Sequence, residues 1–134
     1  MKEAKSLLEI MKCFLNEKEC IINSDIDENK LYHLAQVNSV SNFLQSWAQK
    51  YCKSEKIKTE IYKDYTTQIV KDTNQNIEIE KILNTLEENN IKTLVVKGVL
   101  MKDIYPQNYM RQMCDIDILV NDNDFKKPQK LWKI

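Results

Sequence analysis

The sequence predicts an α+β fold, a helical first part followed by a small sheet, and three observations carry that prediction. Residues 1–90 place apolar side chains at helical spacing. Residues 91–97 and 115–120 are short runs rich in β-branched residues, the texture of buried strands. Between them stands Gly98, the only glycine of the chain, where strand texture gives way to helix texture.

The elements follow in order. Leu7, Met11 and Phe14 recur one helical turn apart, with Leu8 and Leu15 beside them, and define a first helix. Asn23, Ser24 and Asp25 read as a turn, and Leu31, Leu34 and Val37 as a short second helix. Ser39 or Ser41 is the candidate cap of the next helix, which carries Phe43, Leu44, Trp47 and Tyr51 on one side. From Ser54 the stripe runs Ile57, Ile61, Tyr65, Ile69 and resumes at Ile79, Ile82, Leu83 and Leu86. The polar segment 72–76 between the two halves contains neither proline nor glycine, so one long helix, bent at most, is favoured over two. After Asn89-Asn90 the texture changes to the first strand, a short helix over Val99–Tyr105 and a loop at Pro106–Asn108. Beyond the second strand, residues 121–124 offer a turn and a cap for a helix from Phe125, with Pro128 tolerable only in its first turn.

Composition narrows the class. A chain of 134 residues, 43% hydrophobic and 30% charged, suits one globular domain. Lys+Arg and Asp+Glu are both 20, so the overall charge gives no reason to expect nucleic acid or an anionic membrane as partner, although a local basic patch stays open. Cys13, Cys20, Cys52 and Cys114 form no C-x-x-C pair and His33 is the only histidine, which argues against structural zinc and for four reduced thiols in a cytoplasmic protein. The first nineteen residues are broken by Glu9 and Lys12 and read as neither signal peptide nor membrane span. His33 reads as an ordinary helix residue, and Trp47, Tyr51, Tyr62 and Tyr65 as helix packing rather than base stacking.

The chemistry concentrates late in the chain. Side chains alternate along a strand, so Asp115 and Asp117 are expected on one face and Ile116 and Ile118 on the other, toward a core. Two neighbouring carboxylates repel, and a hard divalent cation such as Mg²⁺ removes that cost while keeping positions open for substrate phosphates. An isolated D-x-D is more often just an exposed acidic face. Here the opposite face is strongly apolar, a glycine turn lies upstream, and Arg111 stands four residues before Asp115, where it can meet a phosphate or brace a carboxylate. At Gly98 the missing side chain allows a sharp turn or the close approach of a ligand, and the following helix start favours phosphate, though a lone strand–glycine–helix turn is more often purely structural.

The segment LVVKGVLMKDIYPQNYMRQMCDIDILV resembles the core of the DNA polymerase beta-like nucleotidyltransferases. More narrowly, it is similar to a bacterial family described as uncharacterised nucleotidyltransferases. The matching elements are Lys97-Gly98, Tyr105-Pro106, Arg111 and the run Asp115–Val120. A weaker likeness extends upstream through LYHLAQVNSV and KILNTLEENNIKTLVVKG. The resemblance implies transfer of a nucleoside monophosphate from an NTP to an acceptor hydroxyl. Asp115 and Asp117 would be the catalytic metal ligands for Mg²⁺ or Mn²⁺, with Lys97, Gly98 and Arg111 binding the nucleotide. It also implies a helical region over 1–90 and a nucleotidyltransferase-type mixed sheet begun in 91–134 but incomplete there. The superfamily's third carboxylate comes from a later strand. Asp122 and Asp124 read as turn and cap residues, Asp103 as a surface residue, and Val99 stands where the superfamily usually has glycine or serine. The expectation is therefore the N-terminal part of a longer enzyme, truncated or left by a frameshift, or a chain completed by a partner, with a homodimer burying the open sheet. Two readings compete with it: a non-catalytic metal- or nucleotide-binding subunit, and a helical interaction module.

Overall fold

The computed structural model of the chain describes residues 2–20, 22 and 25–132. Among them the helices are α1 (Lys2–Leu15), α2 (Glu28–Val37), α3 (Gln45–Tyr51), α4 (Glu55–Glu88), α5 (Gly98–Lys102) and α6 (Lys126–Leu131). The strands are β1 (Thr93–Val96) and β2 (Asp117–Val120). The fold is α+β and mostly helical. Of the turn expected at 23–25, Asn23 and Ser24 lie outside the described residues.

The main core is built by α1, α2, α3 and the first third of α4. Leu7, Ile10, Leu31, Ala35, Leu44, Trp47, Ile57 and Ile61 close it. The expected stripes supply these residues, with Ile10 and Ala35 added. Leu8 and Val37 face solvent instead.

Helix α4 is continuous over 34 residues, about 50 Å at 1.5 Å per residue. Ser54 caps it, its side chain accepting the Ile57 N–H at 3.4 Å. The helix joins the two textures of the chain: its start belongs to the main core, and its later turns carry the buried residues Gln68, Asp72, Ile79 and Leu86. The polar segment 72–76 that interrupts the apolar stripe is a docking surface, described below.

Scarcity of glycine is visible in how helices stop. A helix commonly ends in a left-handed residue, usually glycine, whose N–H and the next one bond back to the last turn. Here that residue is Glu17 (φ 53°), Ser39 (φ 56°) and Asn90 (φ 55°). Each carries the paired bonds: Glu17 N to Phe14 O and Lys18 N to Cys13 O, Ser39 N to Gln36 O and Val40 N to Ala35 O, Asn90 N to Glu87 O and Ile91 N to Leu86 O. Ser39 thus closes α2 and does not cap the next helix. The short 3₁₀ turn Ser41–Leu44 leads into α3, and Val40 stands at its start without a side-chain cap bond, so neither serine has the expected role.

The sheet has two antiparallel strands in the register Thr93↔Val120, Leu94↔Leu119, Val95↔Ile118 and Val96↔Asp117. Both strands are shorter than the β-rich runs that encode them, because each extends only as far as it finds a partner. Helix α4 packs against β1. Val95 and Ile118 are half-buried, whereas the cross-strand pair Leu94 and Leu119 is 60% and 56% exposed. The open face of the sheet is therefore apolar along its length and acidic only at the Asp117 end.

Candidate functional site

The sharp turn between β1 and α5 falls on Lys97, not on Gly98. Lys97 has φ 54° and ψ −111°, the first central conformation of a type II′ turn, where glycine is strongly preferred. A lysine there holds strain of order 1–3 kcal/mol. Gly98 has an ordinary negative φ. Its lack of a side chain serves a close approach. A Cβ at Gly98 would stand 2.7 Å from the Met113 sulfur and 3.9 Å from the Asp115 carbonyl oxygen. The neighbour admitted by the glycine is the chain's own 113–115 segment. The glycine thus lets the start of α5 lie against the approach to β2.

The register places Val96 opposite Asp117, so the Lys97 turn emerges beside the acidic strand end. The Lys97 ammonium is 3.2 Å from an Asp117 carboxylate oxygen, with side-chain exposures of 77% and 45%. An open pair like this contributes little to stability, about 0–1 kcal/mol, and a ligand can replace it readily. Asp117 opens β2. Asp115 lies two residues ahead of the strand and is exposed. Ile116 and Ile118 are half-buried behind them.

Four of the five expected site residues, Lys97, Gly98, Asp115 and Asp117, therefore come together at one end of the sheet. Arg111 does not join them, and it lines a different part of the surface. It borders a separate cavity against α1 and the end of α2. Among the described residues no group of three or more His, Cys, Asp or Glu side chains is placed to hold a metal ion. Asp103, Asp122 and Asp124 supply no third ligand: Asp103 is exposed beyond α5, Asp122 opens a 3₁₀ turn, and Asp124 pairs with Lys127 at 2.6 Å.

The site is held from beneath by the polar segment 72–76 of α4 and the residues that meet it. Lys102, at the end of α5, is buried and its ammonium pairs with the Asp72 carboxylate of α4; the side chains are 3% and 9% exposed. Asn76 completes the cluster, donating to Asp72 at 3.2 Å and standing 3.4 Å from the Lys102 nitrogen. One turn away, the Gln75 side-chain amide donates to the Met113 carbonyl at 2.6 Å. Farther back, the Tyr65 and Tyr109 hydroxyls meet at 3.3 Å with their rings edge to face. Burial pushes the Tyr109 phenol up to about 12, reinforced by its bond to Tyr65. Helix α4 thus grips both segments that meet at Gly98. The signal available in the sequence was the spacing: Tyr65, Gln68, Asp72, Gln75 and Asn76 continue the face of Ile61 at three- and four-residue steps.

The class these features define is an α+β domain in which a Lys–Gly turn and an acidic strand end are pressed together on a helical platform. The chain belongs to a family of uncharacterised nucleotidyltransferases, whose model matches residues 24–132. No curated protein and no solved structure matches it significantly. Among the described residues no helix is long and apolar enough to cross a membrane.

Proposed function

We propose that the protein transfers a nucleoside monophosphate from an NTP to an acceptor hydroxyl, using Mg²⁺ held by Asp115 and Asp117. The observation that carries this reading is the meeting of the family's Lys–Gly and D-x-D elements at one sheet end, with Lys97 already engaged to Asp117. In the reaction the acceptor oxygen bonds to the α-phosphorus, the bond from that phosphorus to the bridging oxygen breaks, pyrophosphate leaves, and the acceptor proton passes to a base.

The donor set suits the metal. Both carboxylates are open to solvent and offer hard oxygen atoms, and Mg²⁺ needs only one or two of them when substrate phosphates and water fill its remaining positions. When bound, Mg²⁺ supplies charge neutralisation at the triphosphate and the leaving pyrophosphate. The chain's own part is positional. Asp117, now paired with Lys97, would hold the cation together with Asp115, and the Lys97 ammonium would supply positive charge for the phosphates. Gly98 keeps the start of α5 close to the Asp115 backbone, and the α4 cluster fixes both.

The absence of a third acidic ligand among the described residues supports one refinement. We infer that full activity requires a further carboxylate, supplied by a strand added beside β2 or by a partner chain. The test is incubation with NTPs labelled at the α-phosphate, with Mg²⁺, following pyrophosphate and labelled acceptor. Residues 1–134 alone are expected to give no detectable transfer, because two carboxylates leave a second ion poorly held and the acceptor without a base, and misplaced reacting groups cost about 100-fold or more in rate. A version carrying the added strand is expected to recover it. Turnover by residues 1–134 that vanishes in Asp117→Asn would refute the need for a further ligand while supporting the reaction. Absence of transfer in every version would count against the reaction itself.

A further inference from the structure

Arg111 is the single arginine among 20 basic residues; every other one is lysine. Arginine differs by its planar fork of five donors, which fits an oxyanion through two parallel hydrogen bonds where lysine offers a point charge. The environment of this one arginine is specific. It borders a cavity of about 300 Å³, within the range of small-ligand sites. The cavity lies between α1, the α2 terminus and the 105–112 segment, and Asn38, Ser39, Tyr105 and Gln112 supply its other polar side chains. Among the described residues no acidic residue lines it, and neither do Lys97, Gly98, Asp115 or Asp117.

The Arg111 Nε is buried and has no hydrogen-bond partner among the described residues. A cationic donor withdrawn from water without an acceptor is costly, and such groups in folded proteins call for a reason. Two amides, of which Asn38 also donates to the Leu34 carbonyl at 2.8 Å, and two hydroxyls beside a guanidinium whose Nε lacks an acceptor are the donor set that an oxyanion satisfies. Ser39 is held at the rim by the left-handed stop of α2.

We propose that this cavity is an oxyanion site, in which Arg111, with Asn38, Ser39, Tyr105 and Gln112, takes a phosphoryl or carboxylate group of a small ligand, apart from the Asp115–Asp117 end of the sheet. The site does not depend on the nucleotidyl-transfer reading. Because its walls come from both the helical part and the segment leading to β2, an anion bound there ties the two together.

The experiment uses the full chain. As the only arginine, Arg111 gives the chain's single arginine Nε–Hε resonance, so proton–nitrogen spectra report this group without ambiguity. Inorganic phosphate, acetate and metal-free ATP are titrated at constant ionic strength. Phosphate or acetate is expected to move the resonance to saturation, equally in the Asp115→Asn/Asp117→Asn variant. By calorimetry, Arg111→Gln is expected to weaken binding of the same anion about tenfold or more, as loss of a charge-assisted hydrogen bond implies. Arg111→Lys, which keeps the charge and removes the fork, is expected to lose most of it as well. Movement by ATP alone that survives the double aspartate variant supports the site and names a nucleotide as its source. A resonance that none of the three moves overturns the proposal, and so does movement by ATP alone that the double variant abolishes, since Arg111 would then serve the nucleotide at the acidic strand end.

Discussion

Breaking the pair between Lys102 and Asp72 is the perturbation that most sharply separates a buried clamp from an incidental contact. Both side chains are nearly inaccessible, 3% and 9% exposed. Asp72→Ala strands the ammonium beside Asn76 alone, and Lys102→Met strands the carboxylate. Removing one partner of a buried pair costs about 3–5 kcal/mol, because the remaining charge stays desolvated. A domain of this size has about 5–15 kcal/mol of stability in all. At roughly 3–4 °C per kcal/mol for this chain length, each single variant should melt about 10–20 °C lower. The double replacement Lys102→Met with Asp72→Leu leaves no stranded charge, so it should recover most of the loss. The assay is thermal and urea unfolding followed by circular dichroism, with hydrogen exchange at residues 98–103 to show that α5 loosens first. The reasoning is refuted if both single variants lose less than about 1 kcal/mol, or if the double variant is no more stable than either single.

Further predictions follow from other local features. Gly98→Ala forces a Cβ toward Met113, which is itself 6% exposed, and should cost about 1–2 kcal/mol in urea unfolding, the flexible thioether giving way in part. Ser39→Gly relieves a left-handed conformation at an exposed position and should stabilise by about 0.5–1 kcal/mol, read as a rise in melting temperature. Glu28 accepts the Lys53 and Ser54 N–H groups at 2.7 and 2.9 Å and ties α2 to the start of α4. Burial pushes its carboxyl up, but these bonds and one from the Cys52 thiol outweigh it and hold it below its usual value near 4.5. Since the folded-state value is the lower one, the stabilisation is present above the usual value and lost as the pH falls through the folded one. Glu28→Gln should therefore flatten the stability profile between about pH 5 and 3 and cost about 1 kcal/mol at neutral pH, as measured by urea unfolding across that range.

Much of this architecture was legible because it rests on local signals. The continuity of α4 through residues 72–76 followed from the absence of proline and glycine, and the two strand positions from their β-branched runs. What was not legible depends on partners distant in the chain. Asp72 looks like a solvent residue until Lys102, thirty positions later, folds onto it. The strands end where pairing ends, so Asp115 falls outside β2 although its neighbours favour a strand. The left-handed stop at Ser39 was obscured because the residue that usually marks it, glycine, occurs only at Gly98. At the site, composition singled out Gly98 correctly as the junction, but the strained backbone belongs to Lys97 and the close neighbour is Met113.

The measurement that bears most directly on the central claim is Mn²⁺ binding, followed by water-proton relaxation with and without an NTP. With one exposed and one half-buried carboxylate as the protein's contribution, binding should be weak alone and tighter when triphosphate oxygens complete the coordination. Both effects should disappear in Asp115→Asn/Asp117→Asn, while the unfolding midpoint of that variant stays close to that of the native chain. Mn²⁺ binding that is the same in the native chain and the double variant, with or without NTP, would contradict the assignment of the metal to this pair.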